Sequence, residues 1–250
     1  MAAPAHKRFQ QQGQHARRGG SEAPAAPLSP EQLADLSGIK ELVGICREGN
    51  AFVIGAMTRH QDVADNADVR KHIPALAALA DGIGDKQIRT MGTLGGSVAN
   101  NDPAACYPSA VLALGATVHT NQRSIAADDF FQGLYTTALD AGELITAIEF
   151  PVAQRAAYAK FKQPASRFAL VGVFVAQTAS GVRVAITGAG NGVFRHAGLE
   201  AALSQSFTPE AVEQVVIDDQ DLNGDLHASA QYRAHLIKVQ TQRAVQQALA

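Results

Sequence analysis

The 250-residue chain has no tryptophan, only two cysteines and 6% aromatic residues. So few aromatics exclude a platform on which nucleic-acid bases stack. Cys46 and Cys106 cannot supply a four-cysteine metal or iron–sulfur site, and they form no Cys-x-x-Cys pair. Any iron–sulfur cluster that works with this chain must sit on another one. Charge of one sign is also lacking. A net charge of −2 at pH 7 offers no basic field for nucleic acid and no acidic tail. No apolar run approaches the roughly twenty residues a membrane helix needs. Gly, Glu and Pro follow Arg17-Arg18 where an export signal would have an apolar core, so reduced thiols and a cytoplasmic location are expected. His60, His72, His119, His196, His227 and His235 show no ligand spacing, so surface or satisfied core histidines are expected and no metal site. Asp128-Asp129 before Phe130-Phe131 reads as a helix start complementing the dipole, and no catalytic acid–base pair is expected.

What is present is ordinary for a globular protein: 46% apolar and 18% charged residues. Residues 1–30 carry almost no large aliphatic side chains and are predicted disordered. Regular patterning starts near Pro30. Leu42–Cys46 and Ala51–Gly55 are expected as two strands joined by residues 47–50. Thr58 and Gln61 suggest a capping box, and the spacing over Val69–Ala80 predicts a helix stopped by Gly82. A glycine-dense loop is expected from Gly82 to Asn101, followed by a helix through Val111–Leu114. Strands are expected at 116–120, 123–126 and 142–150, the last ending at Pro151. Residues 151–155 are the natural domain boundary. Beyond it, strands are expected at 167–177 and 182–188, and helices near 194–203 and 228–249. Tyr232-Arg233, on the last helix, is expected to face a partner or solvent. Gly188-Ala189-Gly190-Asn191-Gly192 lacks a dinucleotide fingerprint and reads as a turn.

The segment that points to chemistry is Ile88-Arg89-Thr90-Met91-Gly92-Thr93-Leu94-Gly95-Gly96-Ser97-Val98-Ala99-Asn100-Asn101-Asp102-Pro103-Ala104-Ala105. Without Cβ atoms, Gly92, Gly95 and Gly96 let the backbone turn sharply and gather N–H groups around an anion, for which a pyrophosphate is the usual occupant. Thr93, Ser97 and Asn100 would add short side-chain donors. A double glycine alone is equally at home in a tight turn.

The spacing Gly-Thr-x-Gly-Gly-(Ser/Asn), then Asn-Asp-Pro-Ala, then an apolar helix resembles an FAD loop of the flavin subunits of molybdenum hydroxylases, the carbon monoxide dehydrogenase and xanthine dehydrogenase family. Further motifs match in order: Ile54-Gly55-Ala56-Met57-Thr58, Asp128-Asp129-Phe130-Phe131-Gln132-Gly133, Thr137-Ala138-Leu139, Gly142-Glu143-Leu144-Ile145 and Phe161-Lys162. The resemblance covers about residues 31–250. It implies an α+β chain with an FAD-binding domain of the vanillyl-alcohol oxidase and p-cresol methylhydroxylase type over residues 31–152, and a smaller α+β domain over 153–250. It also implies FAD as cofactor and two partners, a large molybdopterin subunit and a small [2Fe–2S] subunit, as a dimer of heterotrimers. Electrons would pass from the clusters through FAD to an external acceptor.

Carried over by position, Thr93, Leu94, Gly95, Gly96 and Ser97 would line the pyrophosphate. Asn100 and Asp102 would lie along the phosphate and ribityl region. Cys106 would stand near the flavin where the family usually carries Asp, Ile145 would pack on the ring, and Lys162 would place a positive charge beside it. Met91 replaces a common basic residue. The family's earlier Ala-Gly-Gly loop has no counterpart in residues 1–30, where Arg18-Gly19-Gly20-Ser21 is only a faint echo. A shifted reading frame, a misplaced start and true divergence all account for this. A structural or assembly subunit that has lost FAD is the competing expectation.

Overall fold

The computed structural model describes residues 34–250. The reading of residues 1–30 lies outside them.

The chain first builds an antiparallel hairpin, β1 (Ile45–Glu48) and β2 (Ala51–Gly55), with Glu48 opposite Ala51 so that Gly49-Asn50 form the turn. Gly49 takes a φ of 59°, which a Cβ would disfavour. Leu42 lies before this hairpin in a single 3-10 turn. Thr58 does not cap the next helix. Its hydroxyl donates to the Gly44 carbonyl and accepts from the Gly44 amide, and α1 (His60–Asp65) starts beyond it.

The helix expected over Val69–Ala80 is two helices, α2 (Ala67–His72) and α3 (Pro74–Asp81). Pro74 disfavours a helical Ile73 and supplies a ready first residue for α3. Asn66 caps α2 through its side chain, and Gly82 closes α3 as expected. The expected loop of 82–101 instead contains α4 (Lys86–Met91), capped by Asp85, and α5 (Leu94–Asn100), capped by Thr93. Next come α6 (Tyr107–Leu114), β3 (Thr117–Thr120), β4 (Ser124–Ala126), a short α7 (Ala127–Phe130) with the acidic start read above, and a small hairpin of β5 (Phe131–Gly133) and β6 (Thr136–Thr137). The strand β7 (Ile145–Pro151) inserts between β2 and β3, giving a five-stranded antiparallel sheet in the order β1-β2-β7-β3-β4.

The remainder is a second antiparallel sheet, β8 (Arg155–Lys162), β9 (Ala169–Thr178), β10 (Gly181–Thr187) and β11 (Phe194–Arg195), ordered β11-β10-β9-β8, with helices α8 (Ala197–Gln205) and α9 (Ala230–Leu249). The strand β8 was not legible because its alanines (Ala156, Ala157 and Ala159) and charged residues (Arg155, Lys160 and Lys162) leave no run of large apolar or β-branched side chains. Ala157, Ala159 and Phe161 point to the core under α9, while Ala156 and Tyr158 point to the core of the first part. In β9, Phe174 and Ala176 join the first core and Val171, Val173 and Val175 the second. A strand buried on both faces has no polar alternation.

The two parts are therefore packed face against sheet, and hydrogen bonds cross the seam. The Gly188 amide donates to Pro103 O at 2.7 Å, and the Arg183 guanidinium reaches Leu112 O at 2.8 Å and the Asp128 carboxylate at 2.6 Å. Arg233 corrects the expectation of an outward residue. It is buried, donating to Leu170 O and Gly188 O and pairing with Asp225, each at 2.7 Å. Among the described residues no helix is long and apolar enough to cross a membrane.

Candidate cofactor site

The helix α5 begins where the chain after β2 doubles back. Arg59 and Thr93 face each other in an antiparallel bridge, flanked by bonds from His60 N to Gly92 O and from Leu94 N to Thr58 O, both 3.0 Å. The glycines exist for this packing. A Cβ on Gly92 would meet His60 Nε2 at 2.5 Å, and one on Gly95 would meet Ala56 at the same distance.

This corrects the amide nest. The Leu94 amide is taken by Thr58 O, Gly95 by Ala56 O at 2.8 Å, Gly96 by the Thr93 hydroxyl at 3.2 Å, and Ser97 by Thr93 O at 3.1 Å. Glycine lets α5 approach its neighbour closely, and close approach consumes the N–H groups that were expected to face an anion. Leu94, Gly95 and Gly96 are buried. What α5 does present is a stripe of side chains. Thr93, Ser97 and Asn100, spaced at i, i+4 and i+7, share one side of the helix and are all half-exposed. Their two hydroxyls and one carboxamide form the donor set.

Beyond α5 the chain turns at Asn101, whose φ of 45° is the left-handed conformation that Asn tolerates. Its side-chain amide donates to Gly133 O and Thr136 O, both at 2.8 Å, clamping the β5–β6 tip. Tyr135 at that tip also has a positive φ, 51°, and lies beside the half-buried Asp102. Burial and that carboxylate raise the Tyr135 phenol. Asp102 accepts from Ala104 N at 2.8 Å, and the Thr187 hydroxyl of β10 stands 2.6 and 2.7 Å from Pro103 O and Ala105 O. The Asn-Asp-Pro-Ala loop is thereby stapled to the second sheet. Asn101 was missed as a structural residue, although an Asn doublet after a helix is a C-cap signal.

Three further expected residues are placed as follows. Cys106 is buried at the start of α6, with Lys160 Nζ 3.3 Å from its sulfur. Ile145 is 1% exposed within the core of the first part, so its side chain is spent on packing and offers no face to a ring. Lys162 is exposed at the end of β8, and the cation directed into the seam is Lys160, two residues earlier. Lys160 Nζ donates to Gly82 O at 2.8 Å and Arg167 O at 3.1 Å besides its contact with Cys106. Strict alternation would put Lys160 and Lys162 on one face, and the register shift between Phe161 and Lys162 is what separates them, so spacing alone would not have chosen Lys160.

Below the stripe, His60 is buried against Tyr107 with ring centroids 5.2 Å apart. Among the described residues its Nδ1 and the Tyr107 hydroxyl have no partner, which corrects the expectation of a satisfied core histidine. Burial, helped by nearby Arg89, lowers the His60 pKa to about 4, and burial raises that of Tyr107.

Against a dinucleotide cofactor this donor set fits through side chains. Neutral hydroxyl and amide donors, followed in the chain by the loop bonded to the second sheet, suit phosphate and ribityl oxygens.

Residues 21–153 match the family described as FAD binding domain in molybdopterin dehydrogenase. The chain is similar to the glyceraldehyde dehydrogenase medium chain of Sulfolobus acidocaldarius, 32% identical over 232 residues that cover 87% of this chain and 83% of that one. It is likewise similar to the carbon monoxide dehydrogenase medium chain of Hydrogenophaga pseudoflava, 33% identical over 229 residues, 84% of this chain and 80% of the other. A solved structure of carbon monoxide dehydrogenase from Hydrogenophaga pseudoflava superposes with a TM-score of 0.81 at 34% identity, covering 88% of this chain and 82% of that one. Fold and matches together define an FAD-binding oxidoreductase subunit. The chain belongs to the family of FAD-binding domains of molybdopterin dehydrogenases.

Proposed function

We propose that this chain is the electron-relay member of a three-part hydroxylase. It would take electrons from [2Fe–2S] clusters on a small partner subunit and pass them through FAD to an external acceptor, while a large molybdopterin subunit oxidises the substrate. With two cysteines in the whole chain, the clusters have to be the partner's. A dimer of heterotrimers and a cytoplasmic location complete the reading, with FAD binding assigned to residues 31–152 and the closing α+β domain to 153–250.

The observation that carries the site is the stripe of Thr93, Ser97 and Asn100 beside the stapled Asp102 loop. Thr93 and Ser97 would donate to phosphate oxygens. Asn100 and Asp102 would lie along the phosphate and ribityl region, and Cys106 would stand near the flavin. Lys162, exposed at the end of β8, would place its charge at the mouth of the seam. Bound FAD would supply the redox chemistry, and the chain's own part is binding, orientation and exclusion of water.

The test is whether purified protein, alone or with its partners, carries yellow FAD that is released intact on denaturation. A folded, colourless protein that stays colourless when FAD is added would overturn the proposal and leave the structural-subunit alternative.

A further inference from the structure

Cys106 and Lys160 meet across the seam between the two parts of the chain. The thiol is buried at the start of α6, and Lys160 Nζ on β8 is held 3.3 Å from it by the carbonyl oxygens of Gly82 and Arg167. Tyr158, two residues before Lys160 on the same face of the strand, brings a buried hydroxyl beside the same thiol, and among the described residues that hydroxyl has no hydrogen-bond partner. Gly172 makes room for that hydroxyl, since a Cβ there would stand 2.4 Å from it. The Lys160 nitrogen is thus held in contact with a buried sulfur, with carbonyl oxygens accepting from it on two sides. Cys106 is only 5% exposed, which keeps bulky thiols from its sulfur, so an oxidant that acts on it has to be small.

We propose that Cys106 and Lys160 form a covalent sulfur–oxygen–nitrogen bridge when the protein meets molecular oxygen. The S–H bond and two N–H bonds break, and S–O and O–N bonds form. The two side chains together lose four electrons, and O2 gains them. One oxygen atom remains between Sγ and Nζ. The other leaves as water, and one proton is released from the original ammonium. The bridge removes a positive charge from the seam and ties residues 54 apart in sequence, which restrains the unfolded chain as a disulfide would.

The experiment compares full-length protein purified in air with protein purified anaerobically. After denaturation without reductant, thiol alkylation should modify both cysteines of the anaerobic protein but only the exposed Cys46 of the aerobic protein. The aerobic protein should gain the mass of one oxygen less two hydrogens. Its tryptic digest should contain a species joining the Cys106 and Lys160 peptides that dithiothreitol separates. Its unfolding midpoint should exceed that of the anaerobic protein, and the difference should vanish in Lys160→Arg, which keeps the cation but cannot form the bridge. Cys106→Ser should lose the linked species as well. Full alkylation of Cys106 in the aerobic protein overturns the proposal. So does addition of one or two oxygen atoms without a link between the peptides, or a link formed by loss of two hydrogens alone.

Discussion

A methyl group added to Gly95 would stand 2.5 Å from the Cβ of Ala56 and 2.9 Å from its main chain. That distance ties the start of α5 to the segment leaving β2, and it accounts for the first glycine of the pair without any ligand. Neither element can retreat, because Ala56 N is itself bonded to Thr146 O of the central strand. Gly95→Ala should therefore destabilise the protein by roughly 1–3 kcal/mol, the usual range for overpacking a filled site. Denaturant titration without FAD measures this directly. An unchanged midpoint would mean that the glycine serves something other than packing.

Among the described residues Ser97 makes no side-chain hydrogen bond, so its hydroxyl is the cleanest probe of the proposed site. Ser97→Ala should leave apoprotein stability within about 0.5 kcal/mol and weaken FAD binding by about 1 kcal/mol, some fivefold in Kd. Thr93→Ala should lose affinity and stability together, since Thr93 also caps α5. Titration of apoprotein with FAD, followed by flavin fluorescence, separates the two effects.

Asn101→Ala should unlock the β5–β6 tip. The substitution leaves Gly133 O and Thr136 O without their donor and puts a residue poorly suited to φ 45° in that conformation, at a cost of roughly 1–3 kcal/mol. Amide exchange should rise selectively over residues 131–137. Asn101→Gly relieves the backbone and should recover part of the loss.

Arg233→Met keeps the buried stem and removes the head group. Two buried carbonyls, of Leu170 and Gly188, lose their donor, so a destabilisation of about 2–4 kcal/mol is expected by urea unfolding. A smaller effect, within about 0.5 kcal/mol, would indicate an arginine facing water.

Acid stability should fall in two stages. His60 has its pKa lowered to about 4 by burial and by Arg89, whereas an unfolded histidine titrates near 6.5. Between those values the unfolded chain takes up a proton that the folded one refuses, so stability declines as pH drops from about 6.5 to 4. Glu143 is held at about 2 chiefly by its bonds from Arg123, with the Asp140 amide and Thr120 hydroxyl assisting. Its contribution is present above the unfolded value near 4.3 and is lost as pH falls towards 2. His60→Phe should flatten the upper stage and Glu143→Gln the lower one. Unfolding midpoints measured from pH 7 to pH 2 check both.

Residues close in the chain carried much of this protein in readable form. The hairpin at Gly49-Asn50, the stop at Gly82, the acidic start of α7 and the ordered motifs from Ile54 to Lys162 follow from side-chain shape and spacing, and they placed the chain in its family. Contacts between distant segments decided the rest. Whether the amides after Thr93 faced a ligand or the protein depended on Ala56 and Thr58, nearly forty residues earlier. In β8 a register shift between Phe161 and Lys162, set by pairing with β9, leaves Lys160 in the seam and Lys162 exposed. Ile145 and Arg233 likewise took their places from what packs against them. Local sequence sets backbone preferences residue by residue, but the direction a donor or a cation finally faces depends on which distant surface covers it.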